Sequence, residues 1–236
     1  MKTITSLAQG AMLLLAMTSS GPAGAQAHPD SVGAQFFNKL LYGGPRWAPV
    51  DTFDVAGARL GMSPEEARTA LKAAGFSAPA TDPTQDSWSS MVSRRRAERI
   101  GGKVDETKIA MFTRAGGPQG EQVEVWYAAT EDGARATSIE YTVPTKRMER
   151  ATFTSGVSAK YGRPTVQEAA RSLYCTKGEG SCQTYQNKAL PHLQTEIDYS
   201  VYVVKLTEGG TYDRDLKARM AAAIEAAAPR DAKASF

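Results

Sequence analysis

The chain is poor in the residues from which most active sites are built. Among its 236 residues there are two histidines, His28 and His192, and two cysteines, Cys175 and Cys182. A metal site made of several His and Cys ligands cannot be assembled from that supply, so no metal is expected. H-E-x-x-H, G-x-S-x-G, S-x-x-K, Walker and G-x-G-x-x-G patterns are all missing, so the usual motif routes to hydrolysis, nucleotide binding and cofactor chemistry are absent. No cofactor is expected. Charge of one sign is lacking as well: 28 Lys and Arg face 25 Asp and Glu, for a net charge of +3. Such a balance gives no general attraction to nucleic acid. Long hydrophobic runs are missing too, and the mean hydropathy is −0.37. What is there, 42% hydrophobic and 22% charged residues, is the composition of a globular protein, not of a disordered, collagenous or polytopic membrane chain.

The start of the chain reads as an address. Met1 and Lys2 give a positive beginning, Ala11 to Met17 an apolar core, and Ala25-Gln26-Ala27 an A-x-A site. That order is a secretory signal peptide over 1–27. Its apolar core is far shorter than the ~20 residues a membrane-spanning helix needs. Cleavage after Ala27 is expected, with no transmembrane segment left in the mature chain. Residues 1–27 hold one Lys and no acid, leaving 27 basic against 25 acidic residues in 28–236. The periplasm is the expected compartment, with secretion as the alternative.

Both cysteines belong to the mature part, with six residues between them, Gly178 and Gly180 among these. In an oxidising compartment so close a pair is expected to form a disulfide. The alternative, a redox pair, lacks the C-x-x-C spacing.

Residues 28–236 are expected to form one domain, with two closely packed halves, about 50–143 and 144–228, as a variant. Asp30 or Ser31 caps a first helix carrying Phe36, Phe37, Leu40 and Leu41, and Phe53 to Leu60 reads as extended. Ser63, Pro64 and Glu66 spell N-cap, N1 and capping box of a helix that ends at Gly75. Trp88–Glu98, Thr107–Arg114, Gln122–Thr130 and Arg135–Val143 are expected strands. Val123, Val125, Tyr127 and Ala129 share one side of the third; Thr137, Ile139, Tyr141 and Val143 share one side of the fourth. The turn at Glu131-Asp132-Gly133 makes these two a hairpin. A helix over about Lys146–Tyr161, with Phe153, Val157 and Tyr161 on one face, ends at Gly162. Strands at Arg171–Cys175, Cys182–Lys188 and Leu193–Leu206 follow, then a helix over Tyr212–Ala228 with Leu216, Met220 and Ile224 in a stripe. Strands joined by short turns give α+β: helices packed on one face of a mostly antiparallel, twisted sheet, in the order helix, strands, helix, strands, helix.

Two stretches resemble known envelope proteins. Phe53-Asp54-Val55-Ala56-Gly57-Ala58-Arg59-Leu60-Gly61-Met62-Ser63-Pro64-Glu65-Glu66-Ala67 is similar to the G-M-S/T-x-x-E/Q helix entry of the BamE (SmpA/OmlA) and β-lactamase-inhibitor-like family. Ala159-Lys160-Tyr161-Gly162-Arg163-Pro164 looks like a helix ending common in exported proteins of that layout. The resemblance covers about a quarter of the chain and departs from BamE in length and in the missing lipidated cysteine. It implies paired helices followed by a meander and a non-enzymatic binding role, and it transfers no site residue.

For chemistry, the acidic pairs Glu65/Glu66, Asp105/Glu106, Glu131/Asp132 and Asp213/Asp215 fall where carboxylates favour a helix N-terminus or solvate a turn. His192 reads as a solvated loop residue, and no catalytic residue is assigned. Arg94-Arg95-Arg96, with Arg99 and Lys103 beyond and Trp88 before, is the main charge run. On a strand Arg94 and Arg96 face one side and Arg95 the other. The run is either a charged edge that discourages aggregation or a patch for an envelope protein or an anionic headgroup. Trp126, Tyr141, Tyr199 and Tyr202 are expected to share a contact face. The leading expectation is an exported, non-enzymatic binding module of the envelope. A periplasmic hydrolase or carbohydrate-active enzyme, which needs two acids converging in a pocket, is the first alternative. A small-ligand carrier, which needs an apolar cavity under the strands, is the second.

Overall fold

The computed structural model describes residues 46–178, 182 and 188–228. The signal segment, the helix expected before Leu41, nearly all of the strand expected over Cys182–Lys188 and the tail after Ala228 lie outside them. Among the described residues, helices α1 (Pro64–Ala73), α2 (Trp88–Ile100), α3 (Arg150–Tyr161) and α4 (Gly210–Ala227) accompany nine strands. Those are β1 (Thr84–Asp86), β2 (Lys108–Ala110), β3 (Phe112–Gly116), β4 (Gln122–Thr130), β5 (Gly133–Pro144), β6 (Val166–Gln167), β7 (Arg171–Cys175), β8 (His192–Ile197) and β9 (Val201–Thr207). The class is α+β, and every strand pairing is antiparallel.

β1 and β2 form a small ribbon, and the other seven make one sheet in the order β3-β4-β5-β9-β8-β7-β6. The first meander thus meets the second at its last strand. β5 pairs with β9, setting Tyr141 against Val204 and Val143 against Tyr202. Each meander has its own helix before it, α1 ahead of the first and α3 ahead of the second. Val123, Val125, Ile139, Val143, Val204, Leu206 and Leu193 lie buried on one sheet face, where Ala67 and Leu71 of α1 and Phe153 of α3 complete the core. Phe153 stacks on Tyr202 with ring centroids 4.7 Å apart.

Local chemistry explains why α1 starts where it does. The Ser63 hydroxyl accepts from the Glu66 N–H, and the Glu66 carboxylate accepts from the Ser63 N–H, a complete capping box with Pro64 at the first turn. Arg68 on α1 pairs with Asp82 at 2.6 Å. Asp82 accepts from the buried Thr113 hydroxyl, which in turn accepts from Tyr127. That chain satisfies polar groups where the first meander is covered. Burial pushes the Tyr127 phenol up to about 12, despite its hydrogen bond to Thr113. Cys175 and Cys182 form the expected disulfide, packed with Leu173, Trp47 and Val166.

Six expectations need correction. Thr107–Arg114 is not one strand: it breaks at Met111 into β2, in the small ribbon, and β3, at the edge of the large sheet. Trp88–Glu98 is helix, not strand. The Ser87 hydroxyl accepts from the Ser90 N–H and caps it, and Gly101 with φ 75° ends it, while the Arg-Ala-Glu stretch between favours helix. Phe53–Leu60 is not extended: Val55 and Ala58 bridge across a two-residue turn at Ala56-Gly57. Leu193–Leu206 is two strands joined at Asp198-Tyr199-Ser200, where the Asp198 carboxylate accepts from the Tyr199 N–H. In β5, Thr137 is the extra residue of a bulge opposite Trp126 and Tyr127. The alternation therefore shifts, and Ala134 and Ala136 join Ile139 and Val143 on the buried side. Finally, α3 begins at Arg150, because Thr145–Arg147 form a separate 3-10 turn.

Candidate functional site

The residues expected to form an interface do not converge. On helix α2 successive side chains are turned by about 100°, so Arg94, Arg95 and Arg96 point in three directions. Arg94 pairs with Asp86 at 2.9 Å and Arg95 with Glu98 at 2.8 Å. Arg99 bridges to Glu225 of α4 and to the Ala228 carbonyl just past its end. Trp88 is half-buried at the start of the helix, about 10 Å along the axis from Arg95 at the usual helical rise. The four aromatic residues do not share a face either. Tyr202 is buried under α3, and Tyr199 sits in the β8–β9 turn, 97% exposed. Trp126 lies half-exposed beside Phe112 on the polar face, and Tyr141 points to the core face, in register with Val123 and Val204.

His192 is not a solvated loop residue. It opens β8, is buried, and its Nδ1 lies 2.9 Å from the Leu190 carbonyl. Burial lowers its pKa, the Leu190 hydrogen bond works against that, and nearby Lys188 and Lys205 lower it further. The acidic pairs do not meet: Glu65 and Glu66 lie in the first turn of α1, Glu131 and Asp132 in the β4–β5 turn, and Asp213 in the first turn of α4. Asp105 and Glu106 precede β2, where the Asp105 carboxylate accepts from Thr107.

What the fold does build is a groove of about 480 Å³ between α1 and α3, on the core face where the two meanders join. Its floor is the β5–β9 seam, Tyr141 beside Val204. Phe76, just past α1, forms one wall and meets Tyr141 edge to face at 6.4 Å. The other wall is α3, which presents Thr152, Phe153, Gly156, Val157, Lys160 and Tyr161 at the three- and four-residue spacing of one helix face. Met148, Val55 and Ala56 complete the lining. A volume of this size falls in the range of small-molecule sites. A second cavity, about 150 Å³ on the other side of α3, has a mixed polar and apolar lining that includes Arg150, which donates to the Ala169 carbonyl.

Three features shape the groove. Gly156 is an interior helix residue, and a Cβ built there meets nothing within 4 Å. The absence of a side chain at this position leaves open space in the wall. Lys160 is neutralised: its ammonium lies 2.7 Å from Asp54 and over the Tyr161 ring. Burial raises the Asp54 pKa, but the Lys160 and Gly57 hydrogen bonds and the Lys160 and Arg59 charges outweigh it and hold the carboxyl below its usual range. Tyr141 finds no hydrogen-bond partner for its hydroxyl among the described residues, and burial, with Glu121 nearby, pushes its phenol up to about 12.

Glu121 enters the groove from the β3–β4 loop. One of its oxygens accepts from the Gln119 N–H at 2.7 Å. A Cβ on Gly117 would stand 2.6 Å from that carboxylate and 2.9 Å from Phe76, so glycine at 117 makes room for both. Sequence reasoning missed Glu121, Phe76 and Gly156. Gly156 alone carried a signal, a glycine amid a helical stripe, since Phe153, Val157 and Tyr161 read as one core face although only Phe153 is fully buried. No residues among those described form a cluster of three or more metal-ligating side chains, and no helix among them is long and apolar enough to cross a membrane. No protein-family model, curated protein or solved structure matches the chain.

Proposed function

We propose that this chain is an exported, non-enzymatic binding protein that carries an apolar guest in the groove between α1 and α3. The observation that carries the reading is the groove: about 480 Å³, walled by Phe76, Phe153, Val157 and Tyr161 over a Tyr141–Val204 floor, with an empty place at Gly156. Such a lining removes apolar surface of a guest from water at roughly 25 cal/mol per Å². Among the described residues Glu121 is the one carboxylate lining it, whereas acid–base hydrolysis of the kind considered needs two. Export rests on the signal-like order of residues 1–27 and agrees with a disulfide between Cys175 and Cys182. The periplasm is the compartment of this reading, with cleavage after Ala27.

The test uses N-phenyl-1-naphthylamine, an uncharged fluorophore that brightens in apolar surroundings, with the mature protein and its Gly156→Leu variant. Leucine favours helix over glycine, so the variant keeps α3 while filling the groove. Wild type is expected to bind the probe at least about tenfold more tightly than the variant, with the melting temperature of the variant no lower. Equal binding by two folded proteins overturns the reading.

A further inference from the structure

The groove is apolar along its length, with a charged side chain toward each end, and only one of the two is balanced. At the α3 end Lys160 is answered by Asp54 at 2.7 Å. At the β3–β4 end Glu121 has no cation within ion-pair distance among the described residues; its one contact is the Gln119 N–H on one oxygen. The Tyr141 hydroxyl, also without a partner, lies in the same lining, and Phe76 and Tyr141 cross at 82° beside it. A carboxylate with a free oxygen, a desolvated phenol and two aromatic rings present negative potential to whatever enters. Gly117 keeps this arrangement open, since a side chain there would collide with both Glu121 and Phe76.

Resting on the proposed carrier reading, we infer that the guest is a cationic amphiphile: an apolar or aromatic body along α3 and an ammonium-type head between Glu121 and Tyr141. An anionic head is disfavoured at both ends, by Glu121 at one and by the Asp54 that already occupies Lys160 at the other. An uncharged head fills the same space but leaves the Glu121 oxygen without a countercharge. The head is an ion-pair partner only, and no bond is made or broken.

Three probes with one body and different heads test this: 4-phenylbutylamine, 4-phenylbutanol and 4-phenylbutyrate, titrated calorimetrically into mature protein at pH 7. The amine is expected to bind about fivefold more tightly than the alcohol, the size of a partly exposed ion pair, and the butyrate most weakly. Glu121→Gln should bring amine and alcohol to equal affinity. Glu121 sits in a loop, so this variant keeps the fold. Equal binding of amine and alcohol by wild type, or an amine preference that survives Glu121→Gln, overturns the inference while the groove remains a binding site. If no probe binds wild type more tightly than Gly156→Leu, the carrier reading falls and this inference with it.

Discussion

Two neighbouring residues in the turn beside the groove carry opposite predictions. Ala56 has φ 53° and Gly57 φ 84°, so both occupy the left-handed region that only glycine enters freely. The Val55–Ala58 bridge and the Asp54 carboxylate, which accepts from the Gly57 N–H at 2.9 Å, hold the turn closed. An alanine there costs roughly 1–2 kcal/mol, partly offset by the extra freedom glycine has when unfolded. Ala56→Gly is therefore expected to stabilise the fold by about 0.5–1 kcal/mol in urea denaturation. Gly57→Ala should do the reverse by about 1–2 kcal/mol, because its Cβ would also press to 3.1 Å from the Ala70 carbonyl of α1. Equal and small effects at both positions would contradict the strain argument. At this scale the sequence was a partial guide. The Ala-Gly pair stood in plain view, but nothing local marked alanine as the residue forced into the unusual conformation.

Among the elements, α2 shows where local reading succeeds and where it fails. The capping box of α1 and the extent of β4 were legible because their signals are short-range: a hydroxyl three residues before a carboxylate, and an unbroken two-residue alternation. α2 carries comparable grammar, with Ser87 before it and Gly101-Gly102 after, yet its apolar residues Trp88, Met91 and Val92 stop within the first turns, and only Ala97 and Ile100 follow the arginines, too few to set a clear period. The arginine run then read as an edge strand. The structure makes Ser87 the decisive residue, buried, accepting from the Ser90 N–H and bonded to the Ser89 hydroxyl at 2.9 Å. Ser87→Ala is expected to cost about 1 kcal/mol, and Ser87→Asp, which restores an acceptor, should recover most of it. Loss of helical circular dichroism at lower urea in the alanine variant alone would support this; no difference between the variants would count against the cap. The β8–β9 turn and the Thr137 bulge were not legible for a related reason. Both interrupt strands whose residues favour strand on either side, and the choice of where to break comes from pairing with β5 and β4.

Across the whole molecule, the groove exists because two helix-and-meander units join last strand to last strand, bringing Ala74 and Phe76 at the end of α1 and one face of α3 to the seam. No single segment encodes that meeting, which is why Glu121, Phe76 and Gly156, far apart in the chain, were not recognisable together. The same assembly buries His192 between β7 and β9, opposite Cys175 and Thr207, and that burial has a consequence for acid stability. Its folded pKa is lowered from the ordinary 6.5 by burial first, against the Leu190 hydrogen bond, with Lys188 and Lys205 adding to the lowering. Between that lowered value and 6.5 the unfolded chain binds the proton that the folded chain refuses, so stability rises with pH across this window and falls on acidification. Asp54 acts the same way further down. Its folded pKa lies below 3.8, so its contribution is present above that value and fades as pH drops through the folded pKa. Glu208 opposes them: burial raises its carboxyl above 4.5, so its contribution is largest below 4.5 and is lost as pH rises through the folded pKa. His192 is the one histidine among the described residues, so His192→Gln isolates its share while Glu208 and Asp54 stay the same in both proteins. Urea denaturation at pH 7.5, 6.5, 5.5 and 5 should show wild type losing stability below pH 6.5 more steeply than the glutamine variant. Parallel slopes would mean that the buried imidazole takes up its proton in the folded state as readily as in the unfolded one, with Lys188 and Lys205 too distant to resist it.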